Sequence, residues 1–359
     1  MYNGKTVLVT GGAGFVGSHL ALAFKRRFPA ARVIVLDNLK RRGSELNIKR
    51  LIRGGVEFLH GDVRNKEDLT GISVLDLLIE CSAEPSVLAG YSTSADYVIG
   101  SNLMGAVHCL EVAKAHQAAF IFLSTSRVYP VKYLNDLSLV EKDTRFELAE
   151  SQPVAGVSPA GIDHTFPLEG ARSLYGATKL SAELLIQEYR DMYGLQTVIN
   201  RCGVIAGPGQ MGRVDQGILA FWLAAHIYEK PLSYIGFGGM GKQVRDMLHI
   251  EDLSELILTQ ALSLEKADGK ARNAGGGREG SVSLFELTQM CEAFTGKRIP
   301  VTAVPETRPA DIPLYITDNK AISDFYGWRP TRGITRLVEE TAQWIYDNKE
   351  MLRPIFCAE

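Results

Sequence analysis

The chain has 359 residues, 46% hydrophobic and 22% charged, which suits a soluble globular protein of about two domains. Its formal net charge of -2 excludes the whole-chain basic field of a protein built to bind nucleic acid or anionic membrane. Cys81, Cys109, Cys202, Cys291 and Cys357 are odd in number and form no CxxC pair, which argues against a disulfide framework or zinc ribbon and fits a reducing compartment. No metal-ligand spacing is present. No signal peptide is visible and no apolar run reaches spanning length, so a cytoplasmic protein without a membrane partner is expected.

Strand-like and helix-like segments alternate over the first two thirds. Strands are predicted at residues 5–10, 32–37, 56–62 and 74–80, with a helix at 14–28 after the first. The 74–80 strand is apolar at nearly every position, as burial on both faces requires. A helix at 102–115 follows, with apolar spacing from Leu103, Val107, Leu110 and Val112. Then come a strand at 120–125 ending in Ser124-Thr125, a long helix at 174–193 and a strand at 196–201. Such alternation predicts an α/β fold, a doubly wound parallel (Rossmann) sheet with ligands outside the carboxyl ends of its strands. Residues 130–172 break the rhythm with Pro153, Pro159, Pro167 and scattered charges. They form either a partly ordered insertion near the active site or a surface excursion. After residue 205 the texture changes. Gly207-Pro208-Gly209 opens a loop, 216–229 and 280–296 are helical, 236–241 is glycine-rich, and a last helix covers 334–348. This half is expected to be a smaller, mixed α/β substrate lobe. The predicted division is therefore 1–205, with the insertion at 130–172, and 206–359, with the chain free to re-cross between them.

The turn Thr10-Gly11-Gly12-Ala13-Gly14-Phe15-Val16-Gly17 lies between the first strand and helix. Gly11 permits a tight turn, Gly14 lets backbone approach a pyrophosphate, and Gly17 lets the helix pack close. The helix N-terminus, at Phe15 and Val16, turns free N–H groups toward phosphate. An acid about 20 residues on gives the pattern its context, and Asp37 fills that place. A carboxylate there accepts from both ribose hydroxyls and repels a 2′-phosphate. NAD is thus the expected cofactor, although Arg41 and Arg42 follow closely. Asn38 adjoins Asp37. Asp62, with Val63, is either the partner of the adenine amino group or a turn residue.

Tyr175-Gly176-Ala177-Thr178-Lys179 opens the long helix. Tyrosine and lysine four apart share a helix face. There the lysine cation favours the phenolate, which can take a proton from a sugar hydroxyl, and lysine can also bond the nicotinamide ribose. Thr125 can share a hydrogen bond at the reacting oxygen.

With TGGAGFVG (10–17), DN (37–38), GD (61–62), STSRVY (124–129), YGATK (175–179) and VRDMLHIEDL (244–253), the chain resembles the extended short-chain dehydrogenase/reductase family of nucleotide-sugar epimerases and dehydratases along nearly its whole length. The resemblance implies Thr125, Tyr175 and Lys179 as the catalytic set. It also implies Asn102, at the opening of the helix after the fourth strand, as an NAD-side asparagine, unless it is a plain N-cap. The family's 4,6-dehydratases carry an Asp-Glu pair directly after the catalytic threonine. Here Ser126 and Arg127 stand there, and neither is a proton shuttle at neutral pH. Hydride removal and return remains, which is epimerisation through a transient keto sugar.

The stretches 214–217, 241–246 and 273–276, and the long segment before YGATK, resemble the CDP-sugar 2-epimerase branch of the family (the paratose or tyvelose type). They imply a CDP-linked deoxysugar inverted at C2, with Gln216, Lys242, Gln243, Arg245, Arg308 and Asp311 on the substrate side. Arginine forks at 245 and 308 suit a diphosphate, unless they are surface ion pairs with Asp246 and Glu306. Pro130 and the run Cys81-Ser82-Ala83-Glu84 depart from the family's usual glycine and histidine-containing run. A UDP-sugar 4-epimerase, a net hydride oxidoreductase, and an NAD-binding sensor or scaffold are the alternatives. Arg201 either supports the nicotinamide end or caps the sheet edge. Cys202, His249 and Trp222 read as core residues, and His164 stands in the insertion without an obvious partner. A homodimer is implied through helices 102–115 and 174–193, unless these only cover the sheet.

Overall fold

The computed structural model describes residues 2–214 and 216–357. Through the first part of the chain it forms β1 (Thr6–Thr10), α1 (Phe15–Arg27), β2 (Arg32–Asp37), α2 (Leu46–Arg53), β3 (Glu57–His60), β4 (Leu77–Glu80), α3 (Asp96–Ile99), α4 (Gly105–His116) and β5 (Ala119–Thr125). Next come α5 (Val131–Asn135), β6 (Leu139–Glu141), β7 (Phe146–Leu148), β8 (Val157–Ser158), β9 (Gly161–Ile162), α6 (Leu174–Tyr193), β10 (Thr197–Cys202) and β11 (Val204–Ala206). Then follow α7 (Ile218–Tyr228), β12 (Leu232–Ile235), β13 (Val244–His249), α8 (Ile250–Leu262), β14 (Ala271–Ala274), β15 (Ser281–Ser283), α9 (Leu284–Thr295), β16 (Val301–Val304) and β17 (Leu314–Tyr315). The last helices are α10 (Lys320–Tyr326), α11 (Ile334–Asp347) and α12 (Lys349–Phe356).

Among the described residues the main sheet has seven strands in the order β14-β10-β5-β4-β1-β2-β3. The pairs β2·β3, β1·β2, β1·β4 and β4·β5 are parallel. This is the doubly wound arrangement, and its order reverses between β1 and β4, where such sheets open a ligand crevice. Val7, Leu8 and Val9 of β1 are fully buried, as a strand covered on both faces must be. Leu78, Phe120 and Phe122 from the sheet pack with Leu110 of α4 and Ile186 of α6 in one apolar cluster. The fourth strand, Leu77–Glu80, is shorter than the expected 74–80, with Asp76 just ahead of it bonded to Thr6 O and Ala119 N.

The chain divides into two compact units. The first comprises Met1–Val128, Leu174–Arg201 and Ser254–Arg272, and the second Tyr129–Ser173, Cys202–Leu253 and Asn273–Glu359. Residues 129–173 thus belong with the later part of the chain. They are no loose excursion: β6·β7 and β8·β9 are antiparallel hairpins, and Ile162 and Phe166 are buried. Tyr129 donates to Asn273 Oδ1 at 2.6 Å and meets the Phe166 ring edge-on. Gly161 takes φ +136, and a Cβ there would lie 2.6 Å from the Ile316 carbonyl oxygen, so this hairpin needs glycine to dock.

The second unit is mixed. β13 pairs parallel with β11 and β17 and antiparallel with β15, and β12 pairs with β16. Trp222 of α7 is buried, donates to Thr288 of α9 at 2.9 Å and stacks on Tyr234, so it is a core residue. α9 starts on a capping box in which Ser283 and Glu286 satisfy each other's backbone N–H groups. Among the described residues no helix is long and apolar enough to cross a membrane.

Candidate functional site

In the first unit the glycine turn sits at the carboxyl end of β1. Gly11 has φ +62, and a Cβ on it would lie 2.8 Å from the Cys81 carbonyl oxygen. A Cβ on Gly17 would meet Gly11 O at 2.4 Å, so α1 packs against the turn itself. The close approach to the sheet belongs to Gly12, whose Cβ would overlap Val35 of β2 at 2.3 Å. The expected role of Gly17 is corrected accordingly. Gly14 caps α1, and a Cβ there meets only Gly11 O, at 3.1 Å. The backbone at Gly14, Phe15 and Val16 is partly exposed, with no acidic side chain in the first helical turn. A phosphate group fits this end of the helix.

Asp37 closes β2 beside the turn. Its Oδ2 accepts from Ala13 N at 3.0 Å and its Oδ1 from Leu39 N at 2.8 Å. Burial pushes its carboxyl upward, against those backbone donors. Gly14 N–H also bonds this carboxyl, and part of its acceptor capacity remains for a ribose hydroxyl. Asn47 of α2, unforeseen in the sequence, braces the turn by donating to Ala13 O at 2.9 Å. Asn38 donates to Asp62 at 2.8 Å, which couples the ends of β2 and β3. Asp62 shapes the turn after β3: its Oδ1 accepts from Arg64 N, and the Arg64 guanidinium grips its Oδ2 at 2.7 Å. Burial alone would raise that carboxyl, but Arg64 and Asn38 hold it at about 2. Val63 is buried, and a Cβ on Gly105 would touch its side chain at 2.6 Å.

Asn102 does not open a helix. The helix begins at Asp96, and Asn102 lies in a π-helical stretch, Gly100–Met104, joining α3 to α4. An inserted residue of this kind swings a side chain off the helical register. Asn102 spends its amide on the segment after β4, accepting from Glu84 N at 2.8 Å and donating to Glu84 O at 3.1 Å. It also reaches Thr178 of α6 at 3.3 Å.

β5 ends on Thr125, which is buried and accepts from Arg127 N at 3.1 Å. Tyr175, half-buried, and Lys179, buried, stand one turn apart on α6. The Lys179 ammonium lies 4.3 Å from the centre of the Phe122 ring and 3.3 Å from Glu80 Oε2. Arg201 forms a fork with Glu183 on α6, closest at 2.8 Å, and Glu183 also accepts from Ser124 at 2.5 Å. It ties β10 to α6 beneath the catalytic candidates. Neither Glu80 nor Glu183 was singled out in the sequence. The available signal was an acid at the end of an apolar strand, and another four residues past Lys179.

The substrate-side candidates lie in the second unit. Arg245 pairs with Asp311 at 2.8 Å and bonds the carbonyls of Ile312 and Val244. Its partner is therefore Asp311 and not Asp246, which is wholly buried and accepts from Gly277 N. Burial lowers the proton affinity of Arg245 while Asp311 opposes this. Arg308 opens the turn that carries Asp311, with Asp311 N bonded to Arg308 O at 3.2 Å. Its guanidinium makes no ion pair with Glu306 among the described residues. Gln243 is buried and donates to Ile235 O at 3.0 Å, while its Oε1 has no partner among the described residues. Lys242 reaches Glu141 at 2.7 Å. Gln216 closes a small turn on Arg213, and Asp215 between them lies outside the described residues. His249 is a satisfied core histidine, bonded to Glu340 and Glu251 N, and Cys202 is buried.

Comparison with known proteins gives a consistent picture. Residues 7–275 match the model of the "NAD dependent epimerase/dehydratase family". A CDP-paratose 2-epimerase of Salmonella typhi is 31% identical, over 94% of this chain and 98% of its own length. A UDP-glucose 4-epimerase of Erwinia amylovora is 26% identical, over 96% and 99%. The structure of a UDP-glucuronic acid 4-epimerase from Bacillus cereus, in complex with UDP-glucuronic acid and NAD, superposes with a TM-score of 0.76 at 25% identity, covering 96% and 99% of the two chains.

Proposed function

Because the chain belongs to the NAD dependent epimerase/dehydratase family, we propose that it is an epimerase that inverts C2 of a CDP-linked deoxysugar. NAD is its cofactor, and the glycine turn, the α1 N-terminus and Asp37 are the groups that fit it. The observation that carries the C2 reading is the end-to-end likeness to the CDP-paratose 2-epimerase. Ser126 and Arg127 after Thr125 argue against dehydration, since neither can protonate a leaving hydroxyl and take it back.

When bound, NAD supplies the hydride acceptor and donor at the sugar carbon. The chain's own part is to move a proton at oxygen. Tyr175 takes the proton of the substrate hydroxyl and returns it, and the Lys179 ammonium one turn away favours the phenolate. Thr125 positions the reacting oxygen through its hydroxyl. Arg245 and Arg308 serve the diphosphate, whose oxygens match guanidinium forks, with Asp311 orienting Arg245. Gln216, Lys242 and Gln243 stand on the sugar-nucleotide side. With NAD held at the glycine turn and Asp37, the hydride it would supply could reach either face of the sugar carbon, while Tyr175 and Lys179 manage the proton at oxygen.

The test is incubation with CDP- and UDP-sugars, the inverted carbon being located by proton NMR. Inversion at C2 of a CDP-sugar supports the proposal. Inversion at C4 only, which the likeness to the Erwinia enzyme favours as the second reading, rejects it. Tyr175→Phe should abolish turnover and keep bound NAD. Full activity in that variant would sink the proton-transfer assignment and leave a sensor or scaffold role.

The homodimer is proposed through α3, α4 and α6. Ile99 at the end of α3, Met104 just before α4 and Leu184 on α6 are 39%, 44% and 58% exposed, apolar side chains that a second copy would cover.

A further inference from the structure

Glu80 is the last residue of β4, the strand beside the point where the sheet order reverses. Its register partners are Thr10 on β1 and Phe122 on β5, so the residue is flanked by strands on both sides at the carboxyl end of β4. Its side chain is 1% exposed and that of Lys179 is 2% exposed. One oxygen, Oε2, lies 3.3 Å from the Lys179 ammonium, and the other, Oε1, has no hydrogen-bond partner among the described residues. The Ser82 backbone N–H on the following segment and the Cys109 thiol of α4 also act on it. Glu183, the next acid on α6, is held by Arg201 and Ser124. Lys179 therefore has one buried acidic partner, and it is not one that the dinucleotide turn requires.

Stripping a carboxylate of water is costly, so a buried acid stays charged only where an opposite charge or hydrogen-bond donors meet it. Burial pushes the Glu80 carboxyl upward, and Lys179 pulls it back. Two effects on the helix face follow. The lysine is pinned toward the sheet, one turn from Tyr175. Its positive potential, which favours the tyrosine phenolate, is offset by a negative charge within a few ångströms.

We propose that Glu80 is a positioning residue: its buried carboxylate anchors the Lys179 ammonium and limits the charge that this ammonium presents to Tyr175. The proposal rests on the reading of Tyr175 and Lys179 as the proton-transfer pair. Glu80 touches neither substrate nor cofactor in this scheme, and acts through Lys179 alone.

The experiment is an ultraviolet phenolate titration of the NAD-loaded protein. The Tyr175 signal is taken as wild type minus Tyr175→Phe, and the same difference is measured in a Glu80→Gln background. Removing the carboxylate should move the Tyr175 midpoint to lower pH by about half a unit or more, as the Lys179 cation, freed of its counter-charge, acts more fully on the phenolate. The acid limb of the kcat profile should move with it, whichever of the CDP- or UDP-sugars is turned over. Glu80→Met removes the same charge and serves if the glutamine variant does not fold. A purely structural role would lower melting temperature and amplitude without moving the midpoint, and superimposable titrations would overturn the proposal. If instead Tyr175→Phe keeps full turnover, the proton-transfer reading falls, and the phenolate titration still decides what Glu80 does to Tyr175.

Discussion

Arg245 and Asp311 meet at 2.8 Å, 66 residues apart in sequence, at the root of a turn whose Ala310 adopts a left-handed φ of +58. The guanidinium is fixed by one acid and two backbone carbonyls, and on the proposed reading its remaining N–H groups would meet the diphosphate. Arg245→Lys keeps the charge but loses the planar donors. We expect KM for the nucleotide sugar to rise about tenfold or more, with a smaller fall in kcat, since a diphosphate contact is made alike in ground and transition states. Steady-state kinetics checks this, and an unchanged KM would remove Arg245 from the substrate side.

Asn102→Ala releases the Glu84 backbone. Two amide contacts are lost in a largely buried setting, where an unsatisfied backbone group costs about 1–3 kcal/mol. A lower urea midpoint and faster loss of NAD on gel filtration are expected. Asn102→Asp should rescue little, because it can accept from Glu84 N but cannot donate to Glu84 O.

Asp62 gives a pH signature. Its carboxyl is held at about 2 in the fold, below the ordinary 3.8. A depressed acid contributes stability above its unfolded value and loses it as pH falls toward the folded one. The Arg64 side chain is 41% exposed, so screening reduces the contribution to roughly 1 kcal/mol. Arg64→Ala should therefore melt below wild type near neutral pH, and the gap should close as pH falls from about 4 to about 2. A gap that persists in acid would mean that Arg64 acts through packing on Tyr97, over which its guanidinium lies at 4.7 Å.

Leu184→Glu places a charge on the exposed apolar face of α6. If two copies meet there, sedimentation equilibrium should show the variant dissociating while its secondary structure is kept. A wild-type protein that is monomeric at micromolar concentration would reject the interface.

Local pattern made the first unit readable. The continuous apolar runs at β1 and β2, the glycines at 11, 14 and 17 and the long α6 need no distant partner to declare themselves, and the observed bounds follow the expected ones closely. Asn102 misled because a π-helical insertion leaves no mark in composition: the apolar spacing that signals α4 begins after the helix has already started at Asp96. Ion-pair partners were equally opaque. Arg245 has an acid next to it in sequence, but on a strand that neighbour points to the opposite face, so the partner comes from the turn at 311. Glu80 looked like the polar end of a strand, and only the sheet registers show it in the interior. The segment 129–173 lacked periodicity because its strands are two or three residues long, too short to show one.

The division of the chain has a consequence for biosynthesis. The first unit is completed only by Ser254–Arg272, which supply most of α8 and the start of β14. A nascent chain of 205 residues already holds the glycine turn, Asp37, Tyr175 and Lys179, yet lacks the edge strand that covers β10. Until residue 272 has left the ribosome, β10 is an open edge, prone to pair with other chains. The NAD-binding unit is thus expected to fold late in translation although nearly all of its binding residues are made early, and a fragment ending near residue 205 should aggregate where the full chain does not.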